Sequence, residues 1–465
     1  MTRSAKWLLA LLGLFLIAIY IGALKLGDLR KHTVEFEWLF FSAFILYGVA
    51  CFISLQSDAD AVDRRVLFGI FAMTALMQGV LIFSRPTLSD DMYRYVWDGR
   101  VQAHGVSPYR YPPSALELTQ LRDGNIYPHI NRKNVVTVYP PAAEASYFLL
   151  WRILPDNVQW FQSAMAGGGL LAGILLTGLL KDLGLSPIRA LIFLWSPLLI
   201  FETAHSAHVD GLILPLLVGA WWARVRERDV VVGFLLGIAT AFKFYPALLL
   251  PFLWRPYDRK GRWQMQLAFM LALFMFYVPY YLISGTSVIG YLPRYFEEKF
   301  NISPLVSTVN QMLNSFKLNI PNPLALFSMG ILFIIGIWCI LHPAKDAETA
   351  LRRCILPIGI VTLLSQNLFS WYMLWLLPLT AIFLQPSDKK WKALTLPKMD
   401  AWTGWWLFCG LVGLSYTFFI KWKPVNAALQ AEFIPLYFFL SIDLLTSIWK
   451  KFAVSKPVSI RQSSS

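Results

Sequence analysis

The chain has 465 residues, 57% of them hydrophobic and only 15% charged, with a mean hydropathy of +0.54. A soluble domain of this length is nearer a quarter charged, so the composition excludes an ordinary water-soluble globular protein and predicts a polytopic membrane protein. The formal net charge of +14 calls for no nucleic-acid partner, because the excess of lysine and arginine flanks apolar runs and suits anionic membrane lipids.

Apolar runs of about 18 residues, each able to cross about 30 Å of hydrocarbon, recur along the whole chain. They predict an all-α bundle of about 12 spanning helices, near residues 7–24, 37–55, 66–84, 157–180, 188–203, 209–223, 264–284, 322–341, 353–369, 371–385, 401–420 and 432–449. The first run, WLLALLGLFLIAIYIGAL, is followed by no small-residue cleavage site and is expected to stay as a helix. Two shorter runs, 229–242 and 244–254, have basic flanks on both sides and read as a helical hairpin that enters and leaves on one face. The organisation follows: an N-terminal three-helix segment (1–84), a large outer loop (85–156), a transmembrane core (157–449) and a cytoplasmic tail (450–465).

Charge sets the orientation, since short cytoplasmic loops carry extra lysine and arginine. With the N-terminus inside, inner segments hold 24 of the 41 Lys+Arg and the short outer loops hold eight. Eight more lie in the 85–156 loop, and Lys243 falls within the membrane. Both termini are thus expected in the cytoplasm, and the large loop on the periplasmic side of an inner membrane. Cys51, Cys339, Cys354 and Cys409 lack CxxC spacing and read as packing residues. No internal repeat, Walker-type loop or GxGxxG loop occurs.

Unusual polar residues gather on the expected outer side. The loop opens with SDDMYRYVWDGRVQAHGVSPYRYPP, which carries three acids, three arginines, a histidine and five aromatics. Ser89 or Asp90 can cap a helix there, and Gly105 followed by Pro108 ends it. Asp91, Arg94 and Asp98 then share one face, with Tyr93, Trp97 and Val101 on another, as in an amphipathic helix lying on a membrane surface. VYPPAAEASYFLLWRIL reads as a second surface helix starting at Pro140–Pro141. Farther on, ETAHSAHVDG brings together Glu202, His205, His208 and Asp210, TAFKFYP places Lys243 and Tyr245 in an apolar setting, and SQNLFSWYMLWLLP presents Trp371 and Tyr372 at a tight turn.

Each feature has a plain structural reading. Asp90 can be a helix cap, and Asp91 can simply complement the helix dipole. Arg94 with Asp98 can be a surface i,i+4 pair, and Tyr95, Trp97, Tyr109 and Tyr111 can be interfacial aromatics. The His205–His208–Asp210 spacing is loose for a metal site, and a polar helix end or substrate hydrogen bonding suits it better. Lys243 is expensive in hydrocarbon unless it is functional or reaches the surface. Aromatics that stack on sugars, a cation for phosphate and a carboxylate to take a hydroxyl proton together suit sugar transfer from a lipid phosphate.

The segments SDDMYRYVWDGRVQAHGVSPYRY, VYPP, AHVDG, FKFYP and WYMLWLLP, in that order, resemble pieces of the GT-C superfamily of membrane glycosyltransferases. The likeness is to bacterial polyprenyl-phosphate-mannose-dependent mannosyltransferases and relatives in glycosyltransferase family 87. It covers roughly residues 85–385 and implies a GT-C-like fold with no metal and no cofactor beyond the lipid-phosphate sugar. The family's acidic loop usually follows the first helix, whereas here it follows the third. Its catalytic base corresponds to Asp91, with Tyr95 four residues later, and Asp90 is the adjacent alternative.

The implied activity is inverting transfer of a hexose, mannose first, from a polyprenyl-phosphate donor to a glycan or lipid-linked acceptor. Lys243, Tyr245, His205, His208 and Asp210 are expected to hold donor phosphate or sugar. Arg94, Tyr95, Trp97, Asp98, Arg100, Tyr139, Trp371 and Tyr372 are expected to hold the acceptor or the loop. A lipid-linked oligosaccharide ligase would share the outer-side site. A transporter or lipid flippase would more often show repeated halves. The charge bias predicts that cysteine at Ser114 reacts with an impermeant thiol reagent in intact cells while cysteine at Ser387 does not. Reversed labelling would turn the molecule over.

Overall fold

The computed structural model describes residues 1–57, 63–256, 258–285, 288–295, 298, 300, 302–316, 323–391, 394–423 and 425–454. Three long helices come first: α1 (Arg3–Leu26), α2 (Thr33–Ser54) and α3 (Arg64–Ile82). Asp63 starts α3 by accepting a bond from the Arg65 N–H, and it also takes Lys6 Nζ at 2.5 Å. One carboxylate thereby caps a helix and joins two segments expected on the same side. Then come α4 (Asp91–Ala103), α5 (Pro141–Ile153) and α6 (Val158–Asp182). Pro141 stands at the first position of α5, as expected, where a missing N–H costs nothing.

The next apolar run is broken. Pro197 bars its predecessor from helical geometry, so Ser196 takes ψ 125° between α7 (Ala190–Leu194) and α8 (Pro197–Ile200). The two halves, Pro187–Leu194 and Pro197–His205, meet at 60°. The second half ends in a π turn, Phe201–His205, and Ala207 then adopts φ +54°. This irregular corner leads into α9 (Asp210–Val225) and α10 (Asp229–Phe242), followed by a 3₁₀ stretch, Tyr245–Leu253. The expected short hairpin is therefore one α-helix and one 3₁₀ return.

Downstream lie α11 (Arg259–Ser284), the short α12 (Leu292–Tyr295), α13 (Pro304–Ser315), α14 (Pro323–Leu341), α15 (Ala347–Arg353) and α16 (Ile355–Leu364). A 3₁₀ turn, Ser370–Trp375, leads into α17 (Leu377–Phe383). Strand β1 (Pro386–Trp391) then pairs antiparallel with β2 (Leu394–Pro397), a feature absent from the sequence reading. The chain closes with α18 (Ala401–Leu411), α19 (Phe418–Lys421) and α20 (Asn426–Val454). Helix α20 runs past the expected boundary at 449, and residues 455–465 of the expected tail lie outside the described residues.

The protein is an all-α polytopic membrane protein. Among the described residues, eight helices are long and apolar enough to cross a membrane, or nine if the bent pair is one span. The expectation of about 12 also counts apolar runs that are short or broken here, because hydropathy does not register breaks. Residues 353–369 and 371–385 form short helices and a 3₁₀ turn, and expected span 209–223 is the 16-residue α9.

A second correction concerns α4, expected to lie amphipathically on the membrane. Every residue from Met92 to Val101 is buried. Helices α5 and α6 and the 3₁₀ turns Leu116–Leu121 and Tyr127–His129 pack around it. Its charged residues therefore find partners within the protein. Gly99 permits the closest approach, since a Cβ there would lie 2.5 Å from the Tyr147 carbonyl oxygen of α5. Gly99→Val should push α4 from α5 and destabilise the fold by about 1–3 kcal/mol, as overpacking does. A lowered thermal midpoint in detergent would register it, and an unchanged midpoint would contradict the close contact.

Candidate active site

A cavity of about 790 Å³ lies against the start of α4. Asp91, Arg94, Asn131, Arg132 and Lys243 give part of its wall an ionic character. Met329 and Leu332 of α14 and Ile360, Val361 and Leu364 of α16 make another part apolar. The cavity thus offers both a polar reaction space and a hydrocarbon surface.

Asp91 is the first residue of α4, and its N–H bonds to Ser89 Oγ at 3.3 Å. Asp90 makes no side-chain cap, contrary to expectation. Its carboxylate instead receives both terminal nitrogens of Arg30, at 2.7 and 3.1 Å, and so ties the loop between α1 and α2 to the start of α4. This leaves Asp91 as the acid that lines the cavity. Asn131 Nδ2 donates to Asp91 Oδ1 at 2.7 Å, while Oδ2 lies 3.8 Å from His208 Nδ1. Burial pushes the Asp91 carboxyl above its ordinary range, against the Asn131 hydrogen bond and the nearby charges of Arg132 and Lys243.

Lys243 stands just after α10, where the helix gives way to extended backbone. It is a paired cation. Its Nζ donates to Asp210 Oδ2 at 2.6 Å, and Trp375 Nε1 donates to Asp210 Oδ1 at 2.6 Å. Lys243 also lies over the Tyr372 and Trp375 rings at 5.4 and 5.8 Å. The second cavity cation suited to phosphate, Arg132, pairs with Glu298 and sits 5.3 Å over Tyr295.

The histidines part company. His205 Nε2 accepts from the Thr87 N–H at 3.2 Å. Ser84 gives its hydroxyl proton to the Leu81 carbonyl, so Nδ1 of His205 must donate to Ser84 Oγ, at 2.6 Å. His205 is therefore fully engaged with the turn before α4. His208 lies between Asp91 and Glu202, with Nε2 3.4 Å from Glu202 Oε2. His205, His208 and Asp210 lie next to the residues that line the cavity and are not among them.

The aromatic residues are equally committed. Trp371 is sandwiched between His208 and Phe369, with centroid distances of 3.7 and 4.4 Å. Trp375 is stacked between Tyr245 and Tyr372 at 3.4 and 4.8 Å. Both indoles line the cavity and are largely buried.

Other expected residues serve the loop. Arg94 Nε bonds both oxygens of buried Asp98 at 2.8 Å, which is a core pair rather than a surface one, and Arg94 also reaches the cavity. Arg100 binds Asp123 and Asp156 and lies 5.7 Å from the Trp97 ring centroid. Tyr95 stacks on Tyr147 at 4.5 Å and meets Tyr139 edge-on, and only Tyr139 of these three lines the cavity. Asn131, Arg132, Trp375 and Tyr416 did not figure among the expected site residues, and Glu202 stood in the polar cluster without a role of its own. The run NRK offered only the signature of a polar loop.

Residues 38–255 match the family described as Alpha-(1->6)-mannopyranosyltransferase, N-terminal domain. This part of the chain is similar to proteins named for mannosyl transfer. The chain is 23% identical over 269 residues to Alpha-(1->6)-mannopyranosyltransferase A of Mycobacterium tuberculosis, an alignment that covers 51% of this chain and 49% of that relative. It is 29% identical over 124 residues to GPI mannosyltransferase 1 of Aspergillus oryzae, covering 24% of this chain and 30% of the relative. It thus spans about half the length of the first relative and less than a third of the second. The family matched is named for α-(1→6)-mannosyl transfer, and the finer likeness to glycosyltransferase family 87 stays an expectation.

Asn131 lowers the Asp91 pKa by bonding to its charged form. Asn131→Ala should therefore raise it, so that at a given pH less base is available. The acid limb of kcat/KM should move to higher pH, and the activity below that limb should fall. A limb that stays in place would separate Asn131 from the titrating group.

Proposed function

We propose that the protein is an integral membrane glycosyltransferase that moves mannose from a polyprenyl-phosphate donor to a glycan or lipid-linked acceptor, with inversion. The active site faces the periplasm, and both termini lie in the cytoplasm. The observation that carries this reading is Asp91, an acid at the ionic wall of a cavity whose other wall is apolar helix surface. Such a cavity suits a substrate with a charged phosphate, a polar sugar and a hydrocarbon tail. The relatives named for mannosyl transfer support the choice of mannose.

In this reading the acceptor hydroxyl lies against Asp91 while its oxygen attacks the anomeric carbon. The carbon–phosphate-oxygen bond breaks, and its electron pair leaves with the lipid phosphate. Asp91 takes the hydroxyl proton, and its raised pKa makes it a stronger base than an ordinary aspartate. Arg132 and Lys243, already beside Asp91, are placed to stabilise charge developing on the departing phosphate. The reaction needs no cofactor beyond the sugar-bearing lipid.

The test compares two neighbours in proteoliposomes supplied with radiolabelled polyprenyl-phosphate mannose and a membrane lipid extract. Asp91→Asn removes the proton acceptor and should slow transfer roughly a hundredfold to ten-thousandfold with donor binding retained. Asp90→Asn keeps an acceptor for Arg30 in a partly exposed pair, which contributes about 0–1 kcal/mol, and should cost little activity. An inactive Asp90→Asn beside an active Asp91→Asn would move the base by one residue. No transfer by the unaltered protein would remove the proposed function itself.

A further inference from the structure

A buried imidazole between two carboxylates stands behind the catalytic wall. His208 is almost wholly enclosed, with Nδ1 3.8 Å from Asp91 Oδ2 and Nε2 3.4 Å from Glu202 Oε2. The corner after α8 builds this alignment. The π turn at Phe201–His205 and the positive φ of Ala207 fold the chain back until the His208 N–H bonds the Glu202 carbonyl at 2.8 Å. Trp371 covers the imidazole face, so the ring has little room to turn.

Glu202 is equally fixed. Its Oε1 accepts from Ser370 Oγ at 2.6 Å and from Tyr416 OH at 2.5 Å, and both residues border the cavity. Its Oε2 and the His208 Nε2 have no hydrogen-bond partner among the described residues, and each is the ion-pair neighbour of the other. Buried polar atoms are rarely left so without a purpose.

We propose that Asp91, His208 and Glu202 form a proton relay that returns the base to its charged form after each transfer, with His208 and Glu202 acting as positioning residues. The inference rests on the glycosyl-transfer reading. In the resting relay the Nε2 proton of His208 points to Glu202, and bare Nδ1 points to Asp91. When Asp91 Oδ2 has taken the acceptor proton, that proton passes to His208 Nδ1. His208 is then an imidazolium whose Nε2 proton stays directed at the Glu202 carboxylate, and once the product has left, the Nδ1 proton passes to water in the cavity beside Asp91. The catalytic acid and imidazole end as they began, and one proton has moved from the acceptor to solvent. Apo distances slightly longer than hydrogen bonds are usual for groups that tighten on substrate binding.

The relay differs from direct donor binding by His208, which would act on KM. Glu202→Gln should lower kcat about ten- to a hundredfold, leave the KM for polyprenyl-phosphate mannose unchanged and raise the solvent deuterium isotope effect on kcat. Glu202→Asp should restore part of the rate. Tyr416→Phe, which removes one hydroxyl from Glu202 without changing ring size, should shift the isotope effect in the same direction and guards against misfolding of the first variant. Octyl α-mannoside serves as acceptor, and thermal midpoints in detergent confirm folding. An unchanged kcat and isotope effect in both folded variants would overturn the relay, as would a loss carried by KM. An unaltered protein that transfers no mannose would instead fail the parent reading, and a transferring one with indifferent variants fails the relay alone.

Discussion

The 2.6 Å contact between Lys243 and Asp210 is the interaction on which the site's construction depends. It joins the end of α10 to the start of α9, and Trp375 adds the turn after α16 through the other carboxylate oxygen. Three chain segments separated by as many as 165 positions are thereby fixed around one buried acid. Breaking such a pair from one side leaves an uncompensated charge in a medium that solvates it poorly, at a cost of about 3–5 kcal/mol. Because α9 begins at Asp210, the same contact sets the position of His208 two residues earlier, and through it the surroundings of Asp91.

The sequence revealed the elements that depend on local chemistry. Long apolar runs, the helix at Asp91–Ala103, the start at Pro141 and the short pair around Lys243 are all visible as periodicity, capping or proline placement. What it concealed is pairing across distance. Arg30 and Asp90 lie 60 positions apart, and Asn131 and Asp91 lie 40 apart, so no local pattern announces either bond. The burial of α4 was hidden for a related reason, since a helix rich in charge reads as a surface helix until its partners are known. Hydropathy likewise gave no sign of the proline corner that divides the run at Pro197, because it registers apolar content alone.

Aromatic residues show how type and placement convey different information. The abundance of tyrosine and tryptophan near the expected outer face suggested platforms for sugars. In the folded protein, His208, Trp371 and Phe369 form one stack, and Tyr245, Trp375 and Tyr372 another. These stacks brace the wall and hold the imidazole and the lysine in place. In the proposed reading, hydroxyls and the ionic groups around Asp91 would recognise a sugar by direction as well as by surface area.

The cations that line the cavity arrive already matched: Arg94 by Asp98, Arg132 by Glu298 and Lys243 by Asp210. With Asp91 ionised, the four carboxylates outnumber the three cations, so the empty chamber projects little positive field into the membrane interface. For the proposed lipid-phosphate donor, capture would then owe more to partitioning of its tail along α14 and α16 than to long-range attraction. With that donor, ionic strength would have little hold on the encounter, and the hydrocarbon length and saturation of the lipid would govern it instead.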